Sequence, residues 1–148
     1  RQRNLTMEEL SDYAERNRSF DREVDSLIRR LGEGSELVLD SRLGHYWIHD
    51  SFRVYLSVNP EIAANRIFKE IEAGLRSSEG ATTVHQTIIG MQEQMKRTRK
   101  RFLDDYGIDI ANTKTFNLVV DTDDKSPEDI TAHIKLKYRQ WLKRGGRS

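Results

Sequence analysis

The stretch Phe52-Arg53-Val54-Tyr55-Leu56-Ser57-Val58-Asn59-Pro60-Glu61 decides the predicted fold class. Residues 52–58 are rich in β-branched, aromatic and aliphatic side chains, which is typical of a strand. Pro60 then occupies the first turn of a helix, where its missing N–H costs nothing, and this helix is predicted to run to about Ala73. Because a strand leads directly into a helix, the stretch predicts a β–α unit.

Further strands and helices are predicted on both sides of that unit. Short apolar runs predict strands at Leu37–Asp40 and Phe116–Asp121. Capping residues and helical spacing predict helices at Leu10–Asn17, Ser19–Leu31 and Val84–Tyr106, and a last helix from Pro127 that ends before Gly145. Strands separated by helices pair in parallel through right-handed crossovers, so we expect one α/β domain (residues 1–148) with a parallel sheet flanked by helices. Within it, residues 74–106 are expected to form a mobile loop and a long helix.

Composition excludes several classes of protein. The chain has 148 residues, 25 basic and 24 acidic side chains and a net charge of +1, so no global charge draws it to nucleic acid or anionic lipid. It has no cysteine, which excludes disulfides and thiolate chemistry and is compatible with a reducing, cytoplasmic setting. No apolar run approaches the length of a membrane span. The first residue is not Met, and we expect the native N-terminus to be missing.

The predicted ligand site lies at the carboxyl edge of the sheet, where α/β folds bind their ligands. Asp40, Asn59 and Asp121 each follow a predicted strand. Asp40 is a candidate for holding a magnesium ion through water, and Arg42 is a candidate for gripping a phosphate or a base edge. The alternative is an Asp/Arg pair that only stabilises the turn after a strand.

Other basic side chains are weaker candidates. Arg97 and Arg101 are four residues apart on the long helix and can close over phosphates, or else belong to a solvated basic face. Arg66, on the helix after Pro60, has the same two interpretations. The basic residues of the last helix favour solubility and dipole complementation over contact with RNA or an acidic partner. His45 and His49 lack a third metal ligand in the sequence.

The order and spacing of several motifs resemble the cytidylate kinases and cytidylate-kinase-like proteins, a branch of the P-loop nucleoside monophosphate kinases. The resemblance covers nearly the whole chain, and the segment after the basic helix is its most specific part. The matching segments are Met7–Leu10, Tyr13–Glu15, Phe20–Asp25, Leu37–Gly44, Val54–Leu56, Ala63–Ile67, Arg101–Ile110, Leu118–Thr122 and Ser126–Glu128.

The resemblance implies phosphorylation of CMP or dCMP with ATP and magnesium. It places Asp40 near the magnesium ion and the phosphates, and Arg42 against the bound nucleoside monophosphate. It further implies that Arg66 touches phosphate, and that Arg101 is a lid arginine over the transferring phosphoryl group, with residues 74–106 as the lid region.

The chain departs from the family pattern in two places. It contains no glycine-rich phosphate loop, so we expect a chain longer by roughly 35 to 45 residues, the size of a strand–loop–helix unit. In the family's strand order, 2-3-1-4-5, the absent strand would separate Leu37–Asp40 from Arg53–Val58 by roughly 9 to 10 Å, too far for them to pair. In the lid, the arginine–acid–arginine pattern of the family aligns with Gln94, Thr98 and Arg101, and Arg97 is a candidate substitute for the lost arginine.

Three functional hypotheses follow. The leading one is a nucleoside monophosphate kinase acting through positioning and electrostatic stabilisation. The second is a non-catalytic relative that binds a nucleotide or a partner, and the third is a basic module that contacts RNA. The sequence does not indicate an oligomeric state.

Overall fold

The computed structural model describes residues 17–34, 36–74 and 83–146, and the side chain of Arg18 is not described. The chain divides into two compact units. The first unit comprises Arg1–Asp21 and Asn59–Asp109, and the second comprises Arg22–Val58 and Ile110–Ser148. The predicted helix at Leu10–Asn17 and the tip of the predicted mobile loop, residues 75–82, lie outside the described residues.

Helix α1 (Arg18–Gly32) confirms the helix predicted at Ser19–Leu31. Its buried face is centred on Asp25 and Ile28, which are 5% and 6% exposed. Its last residue, Gly32, is in close contact with Ile48, because a Cβ at Gly32 would lie 2.6 Å from the Ile48 Cγ1. Helix α2 (Gly44–Trp47) is a single turn that the sequence did not predict.

The second unit contains a parallel pair of strands, β1 (Val54–Ser57) and β2 (Leu118–Asp121). Val54 is the register partner of Leu118, and Ser57 is the partner of Asp121. At the start of the two strands, the Asn117 Oδ1 accepts a hydrogen bond of 2.8 Å from the Arg53 N–H, and this contact helps to fix the register. A 3₁₀ turn (Thr113–Thr115) precedes β2. The parallel β–α arrangement predicted from the sequence is confirmed for these two strands.

The strand predicted at Leu37–Asp40 is wrong. This segment has no regular secondary structure, and the sheet of the described residues contains only β1 and β2. Leu37 and Val38 are 47% and 97% exposed. A strand is defined by backbone hydrogen bonds to a neighbouring strand, and within the described residues this segment has no neighbouring strand with which to form them.

Helices α3 (Pro60–Glu72) and α4 (Val84–Tyr106) pack against each other in the first unit. The Asn59 Oδ1 caps α3 by accepting from the Glu61 N–H at 2.9 Å, and the Thr83 Oγ1 caps α4 by accepting from the Gln86 N–H at 3.2 Å. Gly107 ends α4 with a φ of 69°. Asparagine, threonine and glycine are the residues expected at these positions, so both helices begin where the sequence predicts.

Helix α5 (Pro127–Lys143) follows β2 and completes the second unit. The Ser126 Oγ accepts from the Asp129 N–H at 3.1 Å, and Pro127 occupies the first turn, as predicted. Phe52 contacts the rings of Tyr138 and Trp141, each at a centroid distance of 5.6 Å. No helix in the described part of the chain combines the length and hydropathy needed to cross a bilayer.

Candidate active site

The loop from Asp40 to Gly44 holds two of the predicted site residues. Leu43 and Gly44 are buried, whereas Asp40 and Arg42 are exposed. The Ser41 Oγ accepts a hydrogen bond of 3.1 Å from the Gly44 N–H, which closes the turn and begins α2. The loop is therefore anchored through its apolar residues while it presents a carboxylate and a guanidinium to solvent.

Helix α2, which follows this loop, is fastened to α1 by polar contacts. The Trp47 Nε1 donates a hydrogen bond of 2.9 Å to the Asp25 Oδ1. The Arg29 guanidinium carbon lies 3.7 Å from the centroid of the Trp47 ring, within the range of a cation–π contact. Because Asp25 is 5% exposed, its carboxylate is shielded from solvent. These contacts fix the end of the segment that carries Asp40 and Arg42.

His45 lies on α2 in an apolar environment. Its ring packs on Phe116 with the ring centroids 4.4 Å apart. Burial, reinforced by the charge of Arg53, lowers the pKa of His45 below 6.5, and a hydrogen bond with the Arg42 backbone opposes this effect. His45 therefore stabilises the loop as a neutral ring. Among the described residues, no group of three or more His, Asp or Glu side chains is arranged to hold a metal ion.

The carboxyl ends of β1 and β2 form the predicted edge of the sheet. The backbone N–H and the Oγ1 of Thr122 both donate to the Ser57 carbonyl oxygen, each at 2.9 Å. The Asp121 Oδ1 accepts from the Asp123 N–H at 2.9 Å, and the Lys125 Nζ donates to the Asp121 carbonyl at 2.7 Å. Asp121 is exposed at this edge, as the sequence predicted.

In the first unit, the predicted site residues Arg66 and Arg97 are exposed, on α3 and α4 respectively. Arg66 lies in the turn after Ala63 and Ala64, which are 8% and 0% exposed. Arg97 lies one turn before Arg101 on α4. Both arginines are positioned by helices whose opposite faces are buried.

Arg101 differs from both, because its side chain is only 15% exposed. Its Nε lies 3.1 Å from the Oδ2 of Asp21, whose side chain is 13% exposed. The Arg101 Nη1 is also buried, and no hydrogen-bond acceptor reaches it among the described residues. A buried guanidinium N–H without an acceptor is rare and costly, and it is typical of a position that a ligand or an ion fills.

The two units hold different parts of the predicted site. Asp40, Arg42 and Asp121 belong to the second unit, and Arg66, Arg97 and Arg101 belong to the first. Asp40 is exposed, and a carboxylate oxygen is one of the ligand types that magnesium accepts beside water and phosphate oxygens.

The sequence did not predict that Asp21, Asp25 and Trp47 support the site. A signal was present, since Asp21 and Asp25 are four residues apart and lie next to the apolar stripe of α1. An acid in that position either faces solvent or pairs inside the protein, and periodicity alone does not distinguish the two.

The chain is similar to a nucleotide dehydratase and to several cytidylate kinases. It is 33% identical over 137 residues to an S-adenosylmethionine-dependent nucleotide dehydratase of Lacinutrix mariniflava, a match that covers 92% of this chain and 27% of that protein. It is 29% identical over 136 residues to a cytidylate kinase of Pyrococcus furiosus, covering 91% of this chain and 66% of the relative. The chain therefore spans about a quarter of the first relative and just under two thirds of the second.

The match to a third relative covers enough of that protein's length to establish the family. The cytidylate kinase of Sulfurisphaera tokodaii is 32% identical over 134 residues, and the match covers 88% of this chain and 69% of that protein. No family model and no solved structure matches the chain. On the strength of the relative that it covers by more than two thirds, the chain belongs to the cytidylate kinase family.

Proposed function

We propose that the protein containing this chain transfers the γ-phosphoryl group of ATP to CMP or dCMP. In this reaction the bond between the γ-phosphorus and the β–γ bridging oxygen breaks. A new bond forms from the γ-phosphorus to a phosphate oxygen of the monophosphate. The products are ADP and the nucleoside diphosphate. Family membership supports the reaction class, and the cytidylate kinases among the relatives support the substrate.

The observation that carries this proposal is the buried guanidinium of Arg101. Its Nη1 has no acceptor among the described residues, and a phosphate oxygen is the acceptor that a guanidinium prefers. In a water-poor site, a positive charge held in position before the reaction stabilises negative charge that develops on the transferring phosphoryl group. Arg101 is therefore assigned this role, and the exposed Arg97 is assigned an outer contact with phosphate.

The exposed residues of the loop and of α3 are assigned to binding. Arg42 extends from an anchored loop and is suited to bidentate contact with the phosphate of the monophosphate. Arg66 adds a second positive charge from α3. Magnesium, when bound near Asp40, neutralises charge on the phosphate oxygens of ATP.

The direct test is turnover by the intact protein. The protein is incubated with ATP, magnesium and one of CMP, dCMP, UMP or AMP, and the diphosphate products are separated and quantified by ion-exchange chromatography. We expect CDP or dCDP with an equal amount of ADP, and less product from UMP and AMP. ADP formed without a nucleoside diphosphate would indicate ATP hydrolysis and would contradict the proposal.

A second candidate is a non-catalytic relative that binds nucleotide, and Thr98 favours it. This side chain is 2% exposed, so the position that aligns with the family's lid acid is inside the first unit here. A protein of this kind would bind ATP or CMP, as measured by calorimetry, and would form no CDP in the turnover assay.

A further inference from the structure

We propose that Asp21 is a positioning residue for Arg101, holding its guanidinium so that Nη1 is presented to a phosphate oxygen. The inference rests on the proposed function, because it takes a phosphoryl group as the ligand of Arg101. It goes further by assigning a role to an acid on α1 that lies outside the predicted site.

The contact geometry is the first argument. The Asp21 Oδ2 approaches the Nε of Arg101 at 3.1 Å, while Nη1 is left without an acceptor among the described residues. Asp21 therefore contacts the Nε and leaves a buried nitrogen available to a second anion. A guanidinium can serve two anions at once because it carries five N–H donors in a rigid plane.

Burial is the second argument. With the side chains of Arg101 and Asp21 only 15% and 13% exposed, water solvates neither charge well, and the carboxylate offsets the charge of the guanidinium. The Arg101 Nη1 is buried and has no acceptor among the described residues. A phosphate oxygen at Nη1 would supply an acceptor that the described part of the protein does not.

The surroundings of the guanidinium limit its movement. Its carbon lies 5.1 Å from the centroid of the Phe102 ring, and Phe102 is itself 6% exposed. The guanidinium is held on one side by a carboxylate and on another by a buried ring. Without the carboxylate, only the ring would orient the guanidinium. A displacement of about 1 Å of a group that contacts the reacting atoms can lower the rate by about a hundredfold.

The kinetic test compares matched Asp→Asn variants of the intact protein. Asp21→Asn keeps the shape of the side chain and removes its charge. Asp104→Asn is the control, because it breaks an exposed ion pair with Lys100 on the same helix as Arg101. We expect Asp21→Asn to lower kcat about ten- to a hundredfold with KM for CMP changed less than threefold, and Asp104→Asn to match the unchanged protein. An unchanged kcat in Asp21→Asn would overturn the inference.

A second variant covers the case in which Asp21→Asn does not fold. Asp21→Glu keeps the charge and displaces the carboxylate by one methylene, about 1.5 Å. We expect a folded protein with a reduced kcat. A lowered Tm with kcat per folded molecule unchanged would assign Asp21 a purely structural role and overturn the inference.

A binding measurement separates this inference from the proposed function. The intact protein is labelled with ¹⁵N-arginine, and the guanidinium resonance of Arg101 is assigned by its loss in Arg101→Lys. We expect ATP with magnesium, added without CMP, to shift this resonance, with at least fivefold weaker binding in Asp21→Asn. An equal response in both proteins, or none in either, would overturn the inference, whereas absent turnover with the expected shift would overturn only the proposed kinase activity.

Discussion

Arg99 and Arg101 are two residues apart on α4, yet their surroundings differ. Arg99 is 52% exposed and forms two hydrogen bonds of 2.7 Å to the carboxylate of Asp109. These hydrogen bonds, with the charge of Asp109, raise the pKa of Arg99 above its usual value. Arg101 is buried beside Asp21. Burial, rather than residue type, therefore distinguishes the candidate phosphate ligand from a surface ion pair.

At the same scale, Arg42 is expected to matter for turnover and little for stability. Arg42→Ala should lower kcat/KM for CMP about a hundredfold or more, because it removes a charged contact to the phosphate of the bound monophosphate. Since the side chain is exposed, the free energy of unfolding should change by less than about 0.5 kcal/mol. The measurements are steady-state kinetics and urea denaturation. Arg30→Ala, another exposed arginine of the same unit, is the control, and a similar loss of activity in both variants would contradict the assignment.

His45 predicts a pH dependence of stability. Its pKa in the folded protein is below the unfolded value of 6.5, so the neutral ring is the form that folding favours. The contribution of His45 is complete above pH 6.5. It is lost as the pH falls below that value, because the unfolded chain takes up the proton first.

The check is urea denaturation followed by the fluorescence of Trp47 and Trp141 at several pH values between about 5 and 8. His45→Phe keeps a ring against Phe116 and should make the free energy of unfolding less dependent on pH in the acid range. Replacement of the exposed His133 by Phe should leave the dependence as it is. A steeper loss of stability in His45→Phe would contradict the assignment.

At the scale of elements, helix α4 shows how a periodic pattern locates a helix better than its buried face. The predicted bounds, Val84–Tyr106, are those observed. Met95 lies on the apolar periodicity of this helix but is 53% exposed, whereas Thr87 and Thr98 are 6% and 2% exposed. Small side chains on α4 allow close packing, and the periodicity of large apolar residues does not reveal them.

Gly90, inside α4, and Gly107, which ends it, should respond in opposite ways to the same substitution. Gly107 has a φ of 69°, a conformation that disfavours a side chain, so Gly107→Ala should lower the free energy of unfolding by about 1–2 kcal/mol. Gly90 is inside the helix with open space around its Cα, so Gly90→Ala should raise it by about 0.5–1 kcal/mol. Denaturation followed by far-ultraviolet circular dichroism measures both. Effects of the same sign would contradict the described end of the helix.

The segment Leu37–Asp40 shows why an apolar run does not suffice for a strand. Its composition predicts one, but a strand requires a neighbour that satisfies its backbone N–H and C=O groups. On β1, Leu56 is also 53% exposed, although both faces of a parallel sheet are normally covered. An apolar run therefore does not establish a strand where the described residues provide no partner for it.

At the scale of the whole molecule, the candidate residues are distributed over both units. The loop with Asp40 and Arg42 is in one unit, and the arginines of α3 and α4 are in the other. A ligand that binds the candidate residues of either unit would stabilise the folded protein, because its binding energy is available only to the folded state.

Thermal denaturation of the intact protein with ligands tests this expectation. At a concentration one hundred times its Kd, CMP or ATP with magnesium should raise Tm by roughly 5 to 10 °C, the equivalent of about 2.7 kcal/mol. A single-stranded RNA oligomer without a free nucleotide should give a smaller shift. A larger shift with RNA that disappears as salt is raised would instead support an RNA-binding module that uses the basic face of α5.

The sequence by itself determined the local structure: the helix starts at Asn59 and Ser126, the bounds of the long helix and the family resemblance, which the relatives confirm. These features depend on residues close together in the chain, so spacing and composition reveal them. Only the tertiary structure decided that Leu37–Asp40 is unpaired and that Asp21 contacts Arg101. Both depend on burial and pairing between distant segments, which no local pattern encodes.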